Sequence, residues 1–201
     1  DHIRVYIDSN AQIPDRTAAI LHGGKDPLPQ MRAALHSLEA CGASCVIMPC
    51  NTAHYFYPAI QASTKCPILH MLRLTAEEIK SRGHIKVALL ATDGTVKTGI
   101  YAKLFEEYGI DYMLPEPEEQ KLVMSMIYDG IKADNEQYFD TEPIKAALRA
   151  MQQRGADAFV LGCTELPIAF DDFELDFPTV DPTRVLAKNA VLAAGYELKT
   201  K

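Results

Sequence analysis

Five cysteines stand at positions 41, 45, 50, 66 and 163, and two of them hold matching places in an internal repeat. Residues 33–52, AALHSLEACGASCVIMPCNT, align without gaps on residues 146–165, AALRAMQQRGADAFVLGCTE, at a constant offset of 113 with six of twenty positions identical. The shared Gly-Ala pair has a structural reason, because glycine at a helix end entering a strand can take the left-handed conformation. Ending a strand does not require sulfur, yet Cys50 and Cys163 fall at the same place in both copies. Two thiols on opposite walls of one cleft suit the removal of a proton from one face of a carbon and the delivery of another to the opposite face. That is two-base racemisation or epimerisation. It needs a thiolate and a thiol together, and cysteine, with a free pKa of about 8.5 that a helix N-terminus lowers, supplies both forms near neutrality. The competing readings are inert packing, common for a small apolar cysteine, and metal or redox chemistry. Cys41, Cys45 and Cys66 read as structural, and the C-x3-C and C-x4-C spacings miss the usual zinc-ligand patterns, so no metal is expected.

The residues following each thiol read as helix starts: Asn51-Thr52-Ala53-His54 after Cys50 and Thr164-Glu165-Leu166-Pro167 after Cys163. Asn and Thr are good N-caps, and the free N–H groups of a helix start bind a carboxylate. His54, four residues after Cys50, tunes that thiol or acts as a ligand, or else simply packs or caps. Thr92-Asp93-Gly94-Thr95 is an ordinary strand-to-helix turn or, lying beyond a strand end, a ligand contact. Asp15 suits the cap of a short helix, and Arg16 and Lys132 suit solvated surface charges unless a ligand brings a carboxylate to them. HGGKDP at 22–27 is too short and wrongly spaced for a phosphate loop and reads as a turn.

The elements that must position these residues alternate. Strand-like runs at Ile3–Ile7, Cys45–Met48, Ile68–Met71, Lys86–Ala91, Tyr112–Leu114, Ala158–Leu161 and Thr179–Val180 are separated by helical segments. The helices are expected at Gln30–Ala40, Tyr55–Ser63, Leu74–Ser81, Val96–Tyr108, Glu118–Ile131, Thr141–Gln153 and Arg184–Ala194. The order implies an α/β fold of two pseudo-symmetric halves, each a parallel sheet flanked by helices, with the cleft between them. Residues 1–83 with 184–201 form the expected first half and 84–183 the second. Residues 8–28, with one helical turn near Thr17–Leu21, are long for a connection and read as a lid or binding loop.

At 201 residues and 48% hydrophobic, the chain can bury one large or two small cores. A net charge of −7 gives no attraction to nucleic acid or anionic lipid, and no apolar run approaches the ~20 residues of a membrane span. The expected partner is a small molecule. An odd cysteine count without a secretory segment reads as reduced thiols in the cytoplasm. The first residue is Asp, which raises the expectation of residues upstream.

The motifs MPCNTAH at 48–54, LGCTELP at 161–167, IPDRT at 13–17 and ATDGT at 91–95 resemble the aspartate/glutamate racemase superfamily, with the aspartate racemase branch nearest. The resemblance covers essentially the whole chain, and paired motifs at this separation are specific. It implies a cofactor-independent, pyridoxal-free amino-acid racemase of two α/β halves, usually a homodimer, with Cys50 and Cys163 as its two catalytic cysteines. It further implies that Asn51, Thr52, Thr92, Thr95 and Thr164 hold the substrate's α-carboxylate and ammonium. Arg16 and Lys132 would meet a side-chain carboxylate, with Asp15 and Glu165 as acidic neighbours. Members of the family open with a strand and a GGMGP-like turn ahead of the segment that begins this chain, which has no counterpart here. Aspartate is the expected substrate. Glutamate or broader amino-acid racemisation, maleate isomerisation or decarboxylation on the same scaffold are alternatives, as is a non-catalytic protein that binds acidic amino acids.

Overall fold

The computed structural model describes residues 2–199 and is an α/β fold with two parallel sheets. The larger has the order β4-β3-β5-β6, from β3 (Lys86–Ala91), β4 (Asp111–Met113), β5 (Ala158–Gly162) and β6 (Thr179–Val180). Its centre is the β3–β5 ladder, in register from Val87 opposite Ala158 to Ala91 opposite Gly162. Both strands are nearly continuous apolar runs because helices cover both faces of the sheet. Side chains alternate accordingly. Ala88, Leu90, Phe159 and Leu161 pack under helices α7 (Pro117–Ser125), α8 (Glu142–Gln153) and α9 (Leu166–Asp172). Val87, Leu89 and Val160 pack under α4 (Met71–Ser81), α6 (Ile100–Tyr108) and α10 (Pro182–Ala193).

The smaller sheet is one parallel pair, β1 (Val46–Ile47) and β2 (Ile68–Leu69). It packs with α2 (Leu28–Ala40) and α3 (Tyr57–Gln61) around Met31, Leu35, Val46, Ala53, Ile60 and Ile68. The internal repeat is visible in the backbone. Both copies run helix, glycine, strand, cysteine, and both glycines are left-handed, Gly42 at φ 84° and Gly155 at φ 98°. Leu35 and Leu148 are buried at equivalent helix positions.

Several elements differ from the sequence expectations. Residues 3–7 form no strand: the segment has no ladder partner, and Val5 and Ile7 are 67% and 83% exposed. A β pattern without an adjacent strand to bond leaves an extended chain. The expected helix Val96–Tyr108 starts earlier and is divided into α5 (Asp93–Thr98) and α6 at Gly99, which takes φ 63°. The segment Glu118–Ile131 is α-helical only to Ser125 and continues as a π-helical turn, Met126–Ile131. After Cys50 the chain forms a 3-10 turn, Thr52–Phe56, before α3. Within the long loop at 8–28, α1 (Arg16–Leu21) is the one helical turn. No described helix is long and apolar enough to cross a membrane.

Gly162 is the last residue of β5, and a Cβ there would lie 2.9 Å from the Leu90 carbonyl oxygen and 3.0 Å from the Ala91 Cβ. The strand that delivers Cys163 can therefore approach β3 this closely only with glycine. Gly162→Ala is expected to destabilise the fold by about 1–3 kcal/mol through this overpacking, seen as a lower urea midpoint with an unchanged slope.

Candidate active site

Both repeat cysteines emerge beyond the carboxyl ends of parallel strands, where ligands bind in open α/β sheets. Cys163 follows β5 directly, and Cys50 follows β1 after Met48 and Pro49. The two thiols line one small cleft of about 60 Å3, together with Asp15, Arg16, Thr17, Thr52, Thr92, Tyr128, Lys132, Thr164 and Glu165. Asn51 and Thr95 are the two candidate residues that do not line it. They lie directly behind its wall, 2% and 1% exposed.

Three threonine hydroxyls tie the walls together. Thr52 Oγ1, from the turn after β1, is 2.9 Å from Thr95 Oγ1 and 3.3 Å from Thr92 Oγ1, and the latter two are 3.4 Å apart. Buried hydroxyls need partners, and here they supply one another. Thr92 sits at the N-cap position of α5, yet its side chain makes no capping bond. The same holds for Asn51 before the 3-10 turn. Thr164 lies one residue before Glu165, the N-cap of α9, which also makes no side-chain cap. The capping expected of these side chains is therefore not made: their polar atoms point to other partners. Asn51 Oδ1 accepts from the Tyr101 hydroxyl at 2.6 Å, and the Thr164 hydroxyl donates to Glu165 Oε2 at 3.0 Å.

Glu165 organises the Cys163 side. The Cys163 thiol donates to its Oε2 at 2.8 Å, and the Lys132 ammonium lies 3.5 Å from its Oε1. Burial, the bond to Glu165 and the charge on Glu165 push the Cys163 thiol up to about 12, with Lys132 opposing. This reverses the lowered thiol pKa expected from a helix N-terminus: desolvation and an adjacent carboxylate outweigh the dipole of the short α9. Cys163 is a protonated thiol at neutral pH. Burial also raises the Glu165 carboxyl, but the Cys163 thiol, Lys132 and the Thr164 hydroxyl together hold it below the usual range. It stays ionised.

On the Cys50 side, His54 Nδ1 donates to the Cys50 carbonyl at 2.9 Å, while its Nε2 accepts from the Met71 backbone N–H at 3.1 Å. This arrangement uses the neutral ring, and burial, aided by the nearby His70, holds its pKa down to about 4. His54 thus fixes the main chain at Cys50 and touches no thiol. Asp15 caps α1 by accepting from the Ala18 N–H at 2.6 Å and also faces the cleft. Arg16 opens α1, its Nη1 donating to the Ile13 and Pro14 carbonyls at 3.4 and 3.1 Å. The loop therefore holds this guanidinium at the cleft by its own backbone.

Two lining residues had no sequence assignment, Thr17 and Tyr128. Tyr128 places its ring under the Lys132 ammonium, 4.5 Å from the centroid, in a cation–π contact. The i, i+4 spacing of the pair was a readable signal, but the π-helical turn between them was not. Among the described residues no group of three or more His, Cys, Asp or Glu is placed to hold a metal ion. All five cysteines are free.

A thiol with a raised pKa loses its proton only as pH climbs through the folded value, so Cys163 reacts slowly with alkylating agents below it. Glu165→Gln removes both the charge and the strong acceptor and lowers that pKa. Iodoacetamide labelling of Cys163 at pH 8, followed by peptide mass spectrometry, is expected to run about tenfold faster in the variant. Equal rates would mean that burial alone holds the proton.

Comparison with known proteins places this geometry in context. A family model described as Asp/Glu/hydantoin racemase matches residues 1–190. The solved structure of Picrophilus torridus aspartate racemase superposes with a TM-score of 0.86 and 30% identity, covering 98% of this chain and 82% of that one. A broad specificity amino-acid racemase of Bacillus subtilis is 29% identical over 154 residues, 77% of this chain. A glutamate racemase of Persephonella marina is 25% identical over 169 residues, 81% of this chain. These alignments span 66% and 62% of the two relatives' own lengths.

Proposed function

The chain belongs to the Asp/Glu/hydantoin racemase family, and from that premise we propose that it interconverts L- and D-aspartate without a cofactor, passing a proton between substrate and two thiols. The observation that carries the reading is that Cys50 and Cys163, from matched repeats, line the same cleft with two cations at its rim. In the proposed reaction the Cys50 thiolate takes the α-proton. The C–H bond breaks, an S–H bond forms, and the electron pair moves into the α-carboxylate as an enediolate. The Cys163 thiol then gives its proton to the opposite face and is left as a thiolate. The reverse direction exchanges the roles, and in each the proton count is conserved.

The chemistry that makes this possible is stabilisation of charge on the α-carboxylate in a site with little water. In the proposed reading the hydroxyls of Thr52, Thr92, Thr95 and Thr164 and the Asn51 amide serve that carboxylate. Arg16 offers a bidentate fork to the substrate's second carboxylate, and Lys132 a point charge beside it. In the proposed reading Glu165 keeps Cys163 protonated until the transition state needs its proton. Asp15 stands where the substrate ammonium would be attracted. A broader amino-acid specificity is the second reading, supported by the Bacillus subtilis relative.

Incubation with single enantiomers in heavy water tests the proposal. Wild-type protein is expected to racemise aspartate with deuterium entering the α-position from both directions. Cys50→Ser and Cys163→Ser should each reduce racemisation by about a thousandfold or more, while retaining one-sided exchange from the enantiomer that faces the remaining thiol. Full activity in both variants would overturn the two-thiol mechanism. Arg16→Ala is expected to raise KM for aspartate by about tenfold or more, and an unchanged KM would remove the side-chain carboxylate from that position.

A further inference from the structure

One buried polar contact outside the cleft is not used by the proton transfers. Tyr101, on α6, is fully buried, with its ring against Phe105 at 5.3 Å in the core beneath the larger sheet. A phenol in such a core needs a partner for its hydroxyl, and it has reached out of its own half to the Asn51 side chain, donating to Oδ1 at 2.6 Å. Burial pushes the phenol pKa far up, so the hydroxyl keeps its proton and remains the donor. A side-chain amide has one accepting and one donating end. With Oδ1 engaged, the Nδ2 end remains, and Nδ2 is buried without any partner. Unpaired buried donors are rare and call for a reason. Asn51 stands between two residues that line the cleft, Cys50 and Thr52.

We propose that Tyr101 is a positioning residue: its hydroxyl fixes which way the Asn51 amide faces, leaving the amide nitrogen as a ready donor for the substrate's α-carboxylate. The inference rests on the racemase reading of the site. Asn51 is buried just behind the surface that Cys50 and Thr52 give to the cleft, so the free end of its amide is the nearest unpartnered donor to a carboxylate bound there. If the amide were turned over, an oxygen would face the carboxylate and repel it as charge builds there. Tyr101 prevents this from the far side without touching substrate.

The test is a double-mutant cycle on Tyr101→Phe and Asn51→Ala, with kcat and KM for L- and D-aspartate measured beside thermal melting. Tyr101→Phe is expected to lower kcat/KM by about ten- to a hundredfold, mostly in kcat, because the amide acts where charge develops. Asn51→Ala should lose at least as much, and the double variant no more than Asn51→Ala alone. Losses that multiply in the double variant, or wild-type kinetics in Tyr101→Phe, would overturn the inference. A measurement that needs no turnover separates it from the racemase reading: the side-chain 1H–15N signal of Asn51 during titration with L-aspartate. The signal should move in wild-type protein and lose most of that response in Tyr101→Phe, also if aspartate binds but is not racemised, which would sink the racemase reading alone. A signal that does not move in saturated wild-type protein would overturn the role of the amide. Should Tyr101→Phe melt early, Asn51→Asp keeps an acceptor for Tyr101 while removing the donor. It is expected to match Asn51→Ala in activity, and wild-type activity there would overturn the inference as well.

Discussion

A buried hydroxyl has to find a partner inside the protein, and for Thr52 the partners lie beside the larger sheet, not the one it follows. Its bonds to Thr95 and Thr92 join the start of the 3-10 turn after β1 to the start of α5 after β3. Those two turns sit at the mouths of the two sheets, so the same contacts set how closely the strand ends approach. Cys50 is two residues from Thr52 in sequence, and Cys163 follows the strand paired with β3 in register. The placement of the two sulfurs on one cleft follows from these linkages, not from any direct contact between them. Tyr101 and Asn51 add a second bond across the same boundary, and Gly162 lets β5 lie against β3 closely enough for the register to hold.

The electrostatics of the two walls differ despite the repeat. Cys163 has a carboxylate within hydrogen-bonding distance and a lysine beyond it. The residue in the equivalent repeat position to Glu165 is Thr52, which carries no charge. Local chemistry thereby makes the two walls unequal: one holds a thiol proton firmly through its carboxylate, and the other carries a hydroxyl at the equivalent position. His54, neutral and clamped between two backbone groups, keeps the Cys50 main chain in place without adding charge to it. Lys132 is balanced between Glu165 and the ring of Tyr128.

Much of this was legible before any coordinates. Strand β3 lies where its apolar run ends at Ala91, and the Gly-Ala turns of the repeat are left-handed as glycine allowed. Cys50, Thr52, Thr92, Cys163, Thr164 and Glu165 gather at one place because strand ends of parallel sheets converge there, while α1 brings Asp15 and Arg16 and the π-helical turn brings Lys132. Other features were hidden for stated physical reasons. Ile3–Ile7 has the residue types of a strand, but strand formation depends on a neighbour that propensity does not register. The turn at Met126–Ile131 changes helical pitch within an unbroken apolar pattern, which concealed the position of Tyr128. The pKa of Cys163 was expected in the wrong direction, since the dipole of a helix start is visible in a sequence whereas desolvation is not. Nothing in the sequence singles out Tyr101, whose hydroxyl bond spans fifty positions of chain.

The threonine triangle has a bearing on affinity. With these three hydroxyls already satisfied by one another, a carboxylate entering among them exchanges one set of hydrogen bonds for another of similar worth. In the proposed reaction this suits the thermodynamics of mirror images, whose free energies in water are identical and whose equilibrium ratio is unity. A site that gripped either hand tightly would become trapped by its own product. Indifference in the resting state leaves the binding energy to be expressed where the α-carbon is planar and handedness has vanished.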